Sequence, residues 1–274
     1  MLNSCDDMKD VDSFHFGYTR AKVYELVTGH CPVGKRILEY SCGDGALCAA
    51  LQEVGYEVTG TNYSVYKNAN KNVKIVNGVD LTEKTPFENE SFDCVIISET
   101  VQNIPNHVAV YKEVARVLKQ GGIFVMTTPN IMSIKSRIHF FLTGLFKVKW
   151  KFIGFDVPMD CSFAYHNHPV HLPVALYYFH ALNMKPIDVD GVYPKLKSYL
   201  FYLLFAWLII PCTWLTTMKK ETNLANSKHG KSVFEALTAR TTLCCDRLAL
   251  AVRKEGDSAA GEVQSELPDW ITRY

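Results

Sequence analysis

The stretch Ile37-Leu-Glu-Tyr-Ser-Cys-Gly-Asp-Gly45 sets two glycines between an apolar run and an amphipathic helical pattern. Glycine takes positive φ at little cost and lets a ligand approach the backbone. The first turn of the following helix offers unpaired N–H groups. A strand, a glycine loop and a helix in that order make a nucleotide-type cradle, with a plain tight turn as the alternative. A second reactive set lies in Tyr165-His-Asn-His-Pro-Val-His171. Histidine moves protons near neutral pH, so His166, His168 and His171 are candidates for a base or a substrate pocket; ordinary loop packing is the alternative. Their H-x-H-x-x-H spacing could hold a metal, but no nearby carboxylate or cysteine completes a ligand set, and none is expected.

These residues need a scaffold, and the hydrophobic pattern supplies one. A leading helix spans about 13–31. Strand candidates run from Arg36 to Tyr40, Tyr56 to Thr61, Val73 to Asn77, Cys94 to Ser98 and Ile123 to Thr127. Leu47, Ala50, Leu51 and Val54 recur at helical spacing, and Gly55 stops that helix. Asn106 is placed to cap a helix with Tyr111, Val114, Ala115 and Leu118 on its inner face, ended by Gly121-Gly122. Strands alternating with helices of this length imply βαβ units and a parallel sheet. Further on, helices are expected over 131–143 and 172–182, and strands over 187–189 and 248–252. The polar stretch 255–274 reads as a tail beyond a single domain of 1–254.

Composition narrows the classes. With 274 residues, 48% hydrophobic and 21% charged, a sizeable core can form. A net charge of +1 argues against a nucleic-acid binder that relies on a basic face. Nine cysteines without a C-x-x-C pair fit reduced thiols in a cytoplasmic protein. Met1 to Asp12 is polar, with no apolar core or cleavage pattern of a secretory signal.

A dinucleotide fingerprint fails at two places. Cys48 stands where G-x-G-x-x-G needs glycine or alanine, and strand two ends in Thr61-Asn62 without the acid that binds ribose hydroxyls. The chain instead resembles the class I S-adenosylmethionine-dependent methyltransferases, in the subgroup with ubiquinone-biosynthesis and glycan-modifying enzymes. The matching segments occur in order: Glu39 to Gly45, Val58 to Ser64, Gly78 to Leu81 with Pro86-Phe87, Ser91 to Glu99, and Glu113 to Gly122 with Thr128 to Asn130. The likeness is strong over about 15–130 and weaker after that.

That resemblance implies a Rossmann-like, seven-stranded, mostly parallel sheet with helices on both faces and an antiparallel last strand. It implies S-adenosyl-L-methionine as cofactor. Glu39, Ser41, Cys42, Gly43 and Gly45 would hold its methionine end, Asn62 its ribose, and Asp80 its adenine amino group beside the Leu81 backbone. Ser98 and Glu99 fall at the end of strand four in the same set. Tyr18 and Arg20 stand where the family closes over the cofactor carboxylate; ordinary surface is the alternative for Arg20. Four positions depart from the family pattern: Ser41 for the first glycine, Asn62 for an acid, and Gln102-Asn103 for a Glu-His pair. Methyl transfer to a small or lipid-linked acceptor, with oxygen slightly favoured as the methylated atom, is the expected reaction. A cofactor-binding but inactive relative is the rival.

One segment stands outside this scheme. Ser198 to Met218 carries no charge, with Lys195 and Lys197 before it and Lys219 and Lys220 after it. Its length would cross a bilayer. Strands six and seven must share one sheet, however, and 219–231 offers no return span. An apolar helical insertion at about 195–218 therefore reads as a re-entrant or in-plane membrane segment, a lid over a greasy substrate, or a core or dimer contact. The first reading places the protein in the cytoplasm, peripheral to a membrane.

Overall fold

In the computed structural model, residues 13–66, 69–147, 168–194, 196–218 and 230–256 are described. His166, most of the aromatic loop and the tail from 257 lie outside them. In chain order the elements are α1 (Ser13–His30), β1 (Arg36–Tyr40), α2 (Ala46–Glu53), β2 (Glu57–Asn62), β3 (Lys74–Asn77), β4 (Phe92–Ser98), α3 (His107–Val117), β5 (Leu118–Pro129) and α4 (Ile134–Thr143). They continue with α5 (Leu172–Ala181), β6 (Met184–Pro194), α6 (Leu196–Met218), α7 (Gly230–Thr238), α8 (Arg240–Cys244) and β7 (Cys245–Lys254).

All seven strands form one sheet in the order β3-β2-β1-β4-β5-β7-β6. β1 runs parallel to β2 and β4, and β4 runs parallel to β5. β7 is antiparallel to both of its neighbours. The apolar runs explain the centre: Ile37 and Leu38 in β1 and Cys94 to Ile97 in β4 are wholly buried, as a strand covered on both faces requires. Two cores result. Leu51, Cys94 and Ile96 pack with Val23 and Val27 of α1 on one face. Tyr111, Val114 and Phe179 pack from α3 and α5 against Val95 and Phe124 on the other.

Two elements differ from the sequence expectation. The α3 helix stops at Val117, and Leu118 already has extended φ −79, ψ 131. Leu118 is fully buried under the sheet, so packing takes it from the helix. Gly121, at φ 75, then serves an irregular start of β5 rather than a helix end. β6 runs from 184 to 194, far beyond the apolar triplet at 187–189. Its polar residues hid it: Asp188 and Asp190 face α1 and pair with His30 and Lys22. Backbone pairing with β7, rather than apolar periodicity, sets its length.

Candidate functional site

The glycine loop lies at the carboxyl end of β1, between β2 and β4, where open α/β sheets bind ligands. Ser41, Gly43 and Gly45 all have positive φ, at 55, 59 and 75. For serine this costs roughly 1–2 kcal/mol, so surrounding bonds must hold the turn. Cys42 N donates to Thr61 O at 2.9 Å, and Gly45 N donates to Cys42 O at 3.0 Å. The Asn62 side chain brackets Gly43: Oδ1 accepts from Gly43 N at 2.8 Å and Nδ2 donates to Gly43 O at 2.9 Å. An acid could make only the first bond. Asparagine here fixes the loop through both bonds.

Beside this bracketed peptide the space is open. A Cβ added to Gly43 would meet no heavy atom within 4 Å. Val79 N donates to Asn62 O at 3.2 Å, so the Asp80 turn sits one hydrogen bond from the same anchor. Asp80 Oδ1 accepts from Thr82 N at 2.8 Å and from Thr82 Oγ1 at 2.7 Å. Its Oδ2 has no hydrogen bond among the described residues. Leu81 is buried beneath the turn.

The turn is tied to α3 by a charged network. Thr85 N donates to Glu113 Oε1 at 2.8 Å. Arg116 Nε donates to Glu113 Oε2 at 2.8 Å, and its Nη1 donates to Phe87 O at 2.8 Å. Burial alone would push Glu113 upward, but the bonds from Arg116 and Thr85 overcome it and hold the carboxyl below its ordinary value.

Glu39 is the most deeply placed acid of the loop, only 4% exposed. Its Oε2 accepts a bond from the Cys48 thiol at 2.9 Å. Burial raises its pKa to about 7, against the opposing pull of the Cys48 bond and of Arg20. Arg20 itself pairs with Asp44 at 2.7 Å, half exposed, directly beside the loop. Tyr18 is on the same helix and 45% exposed.

A pH dependence follows. The unfolded chain ionises Glu39 near 4.5, whereas the folded protein keeps the proton until about pH 7. The unfolded state therefore loses its proton first, and stability falls as pH rises from 4.5 to 7, then levels off. The gap corresponds to about 3 kcal/mol. Without added ligand, Glu39→Gln is expected to flatten that slope and to exceed the parent in stability at pH 8. Urea denaturation at several pH values checks this; parallel curves for the two proteins would contradict it.

A second polar group lies at the ends of β4, β5 and β7. Glu99, at φ 52, accepts through Oε2 from Arg247 Nε at 2.9 Å, with both side chains largely buried. Ser98 Oγ and Thr127 Oγ1 are 3.1 Å apart. Ser98 and Glu99 thus bond toward β5 and β7, not toward the glycine loop. His168 N donates to Gln102 O at 3.0 Å, which brings the histidine segment onto the β4–α3 connection. His171 precedes the first turn of α5. Burial and the nearby Arg137 push its imidazole pKa down, toward the neutral form. His107 is lowered as well, by burial and by the proximity of His168.

Several atoms here are buried without partners among the described residues: Glu99 Oε1, both amide atoms of Gln102, His107 Nε2 and Thr128 Oγ1. Sequence reasoning missed Arg247, although a charge opening the apolar run of β7 was the available signal. A hollow of about 170 Å³ near His30, Asp93 and Lys119 lies at the opposite end of the strands and belongs to neither group.

The chain is similar to several known proteins. Residues 38–126 match a family model described as a methyltransferase domain. An uncharacterised protein of Methanocaldococcus jannaschii is 35% identical over 132 residues, which is 47% of this chain and 51% of that protein. A demethylmenaquinone methyltransferase of Staphylococcus haemolyticus is 35% identical over 105 residues, 35% of this chain and 44% of that protein. The chain thus spans about half, or less, of the length of these relatives. A SAM-dependent methyltransferase of Archaeoglobus fulgidus superposes with a TM-score of 0.53 at 16% identity, covering 88% of this chain and 100% of that one. Residues 38–126 thus match a methyltransferase domain, and the described chain carries the fold of the class I S-adenosylmethionine-dependent methyltransferases.

Proposed function

We propose that the protein transfers a methyl group from S-adenosylmethionine to a small-molecule acceptor. One observation carries the reading: Gly43 is left-handed, bracketed by Asn62, and bare on its outer side. The loop peptides, with Glu39 behind them, would hold the methionine end of the cofactor, and Asp80 Oδ2 would accept from the adenine amino group. Bound there, the sulfonium supplies an electrophilic methyl group. The chain's task is then to align a nucleophile in line and keep water away.

The acceptor side falls to the β4, β5 and β7 ends. Gln102, Thr128 and the Glu99–Arg247 pair orient a polar acceptor. His168 and His171 belong to this side, and a neutral His171 is in the right protonation state to take a proton from a hydroxyl. His166, outside the described residues, stays a candidate by sequence alone. The relative named for demethylmenaquinone supports a small-molecule acceptor. Seven described cysteines are all free thiols, which suits a reducing compartment such as the cytoplasm.

Incubation with cofactor carrying a labelled methyl group, against quinol-like and phenolic acceptors, tests the reading. Label in the acceptor is expected, and its yield should drop roughly 100-fold in Gln102→Leu, on the scale of a lost positioning group. Tight cofactor binding with no transfer to any acceptor would favour an inactive cofactor-binding relative instead.

A further inference from the structure

The α6 helix is apolar on every side yet lies on the outside of the protein. Its most apolar window has a mean hydropathy of 1.7, and only 11% of it is buried. A helix of that character is ordinarily enclosed. Its inner line is accounted for: Tyr199, Tyr202, Phe205 and Ile209 pack on Ile134 and Ile138 of α4 and on Leu243 of α8. Its outer line is not. Leu200, Leu203, Trp207 and Trp214 are 57%, 76%, 72% and 51% exposed. The neighbouring α4 adds Phe141 and Leu142, 86% and 71% exposed.

We propose that this face docks in the plane of an anionic bilayer leaflet, with α6 lying along the surface. Three observations select that occupant. First, α6 is pinned to the body along its length, with Ser198, Ala206 and Thr217 buried near its start, middle and end. It cannot span, because β6 before it pairs with β7 after it in one sheet. Second, the segments 134–147 and 196–218 hold no acid, in a chain that has 28 acids elsewhere, and carry the exposed cations Lys147 and Lys197, while Lys135 and Arg137 turn inward to Asp246 and to backbone carbonyls. Such a pattern complements anionic headgroups. A second copy of the chain would instead set the same cations against each other. Third, two tryptophans stand on the outer line, the residue type that favours the headgroup boundary. Over 23 residues α6 is about 34 Å long, enough for a broad in-plane contact.

The inference does not depend on methyl transfer, and its test keeps the two apart. The full chain is mixed with vesicles of phosphatidylcholine alone or with about one third phosphatidylglycerol, the anionic lipid. Co-sedimentation and a blue shift of tryptophan emission are expected with the anionic vesicles. The double variant Leu203→Glu, Trp207→Glu should bind them at least roughly tenfold more weakly, while its circular dichroism and cofactor affinity stay unchanged. A protein that stays in the supernatant overturns the proposal. So does equal binding to neutral vesicles. A dimer in sedimentation that the double variant dissolves, without vesicle binding, overturns it in favour of a second copy.

Discussion

Gly43→Val is expected to abolish measurable binding of S-adenosylmethionine while the protein stays folded. Gly43 sits at φ 59, where any other residue is strained by roughly 1–2 kcal/mol. A Cβ there meets no heavy atom within 4 Å, so the valine side chain starts into the open space in which the cofactor would lie. The penalty thus falls on the ligand far more than on the fold. Affinity should drop at least about 100-fold, near 2.7 kcal/mol, by equilibrium dialysis against labelled cofactor. Gly43→Ala should lose less. Wild-type affinity in the valine variant, with circular dichroism intact, would refute the site.

Arg116→Met should produce the largest loss of stability. Glu113 is a buried acid, 6% exposed, whose charge is held by Arg116. Removing the guanidinium leaves that charge without its partner and frees the carbonyl of Phe87. Loss of one member of such a pair costs about 3–5 kcal/mol. The same bonds hold Thr85 and the segment after Asp80, so cofactor affinity should fall too. Urea denaturation gives the first effect. Glu113→Gln combined with Arg116→Met should recover much of it, because the stranded charge is then gone. A double variant no better than Arg116→Met would show that the network's charge is not the cause.

The parts of the fold that the sequence revealed share a physical reason. β1 and β4 are buried on both faces, so their burial requires a continuous apolar run such as Cys94 to Ile97. The Asn106 cap was legible because its side chain bonds Ala109 N within its own turn. β6 was mostly hidden, since an edge strand can carry Asp188 and Asp190 as long as its backbone pairs. The switch at Leu118 was hidden too, because helix and strand both tolerate leucine and the deciding contact lies across the core.

The candidate site divides along the same line. The glycine loop and the histidine segment could be named from local pattern, and Asp80 from the family resemblance. The double bond of Asn62 to Gly43 could not, for the partners are 19 residues apart and only folding sets the amide against that peptide. The Glu99–Arg247 pair spans 148 residues and depends on β7 lying next to β5. Neither is visible as a spacing.

Amide hydrogen exchange of the unmodified protein, with and without S-adenosylmethionine, probes the cradle itself. Slowed exchange should concentrate at residues 41–46, at 61–63 and at 78–82, the three stretches joined through Asn62 and Val79. Protection confined to other parts of the chain, or none at saturating cofactor, would contradict the placement of the sulfonium nucleoside against Gly43.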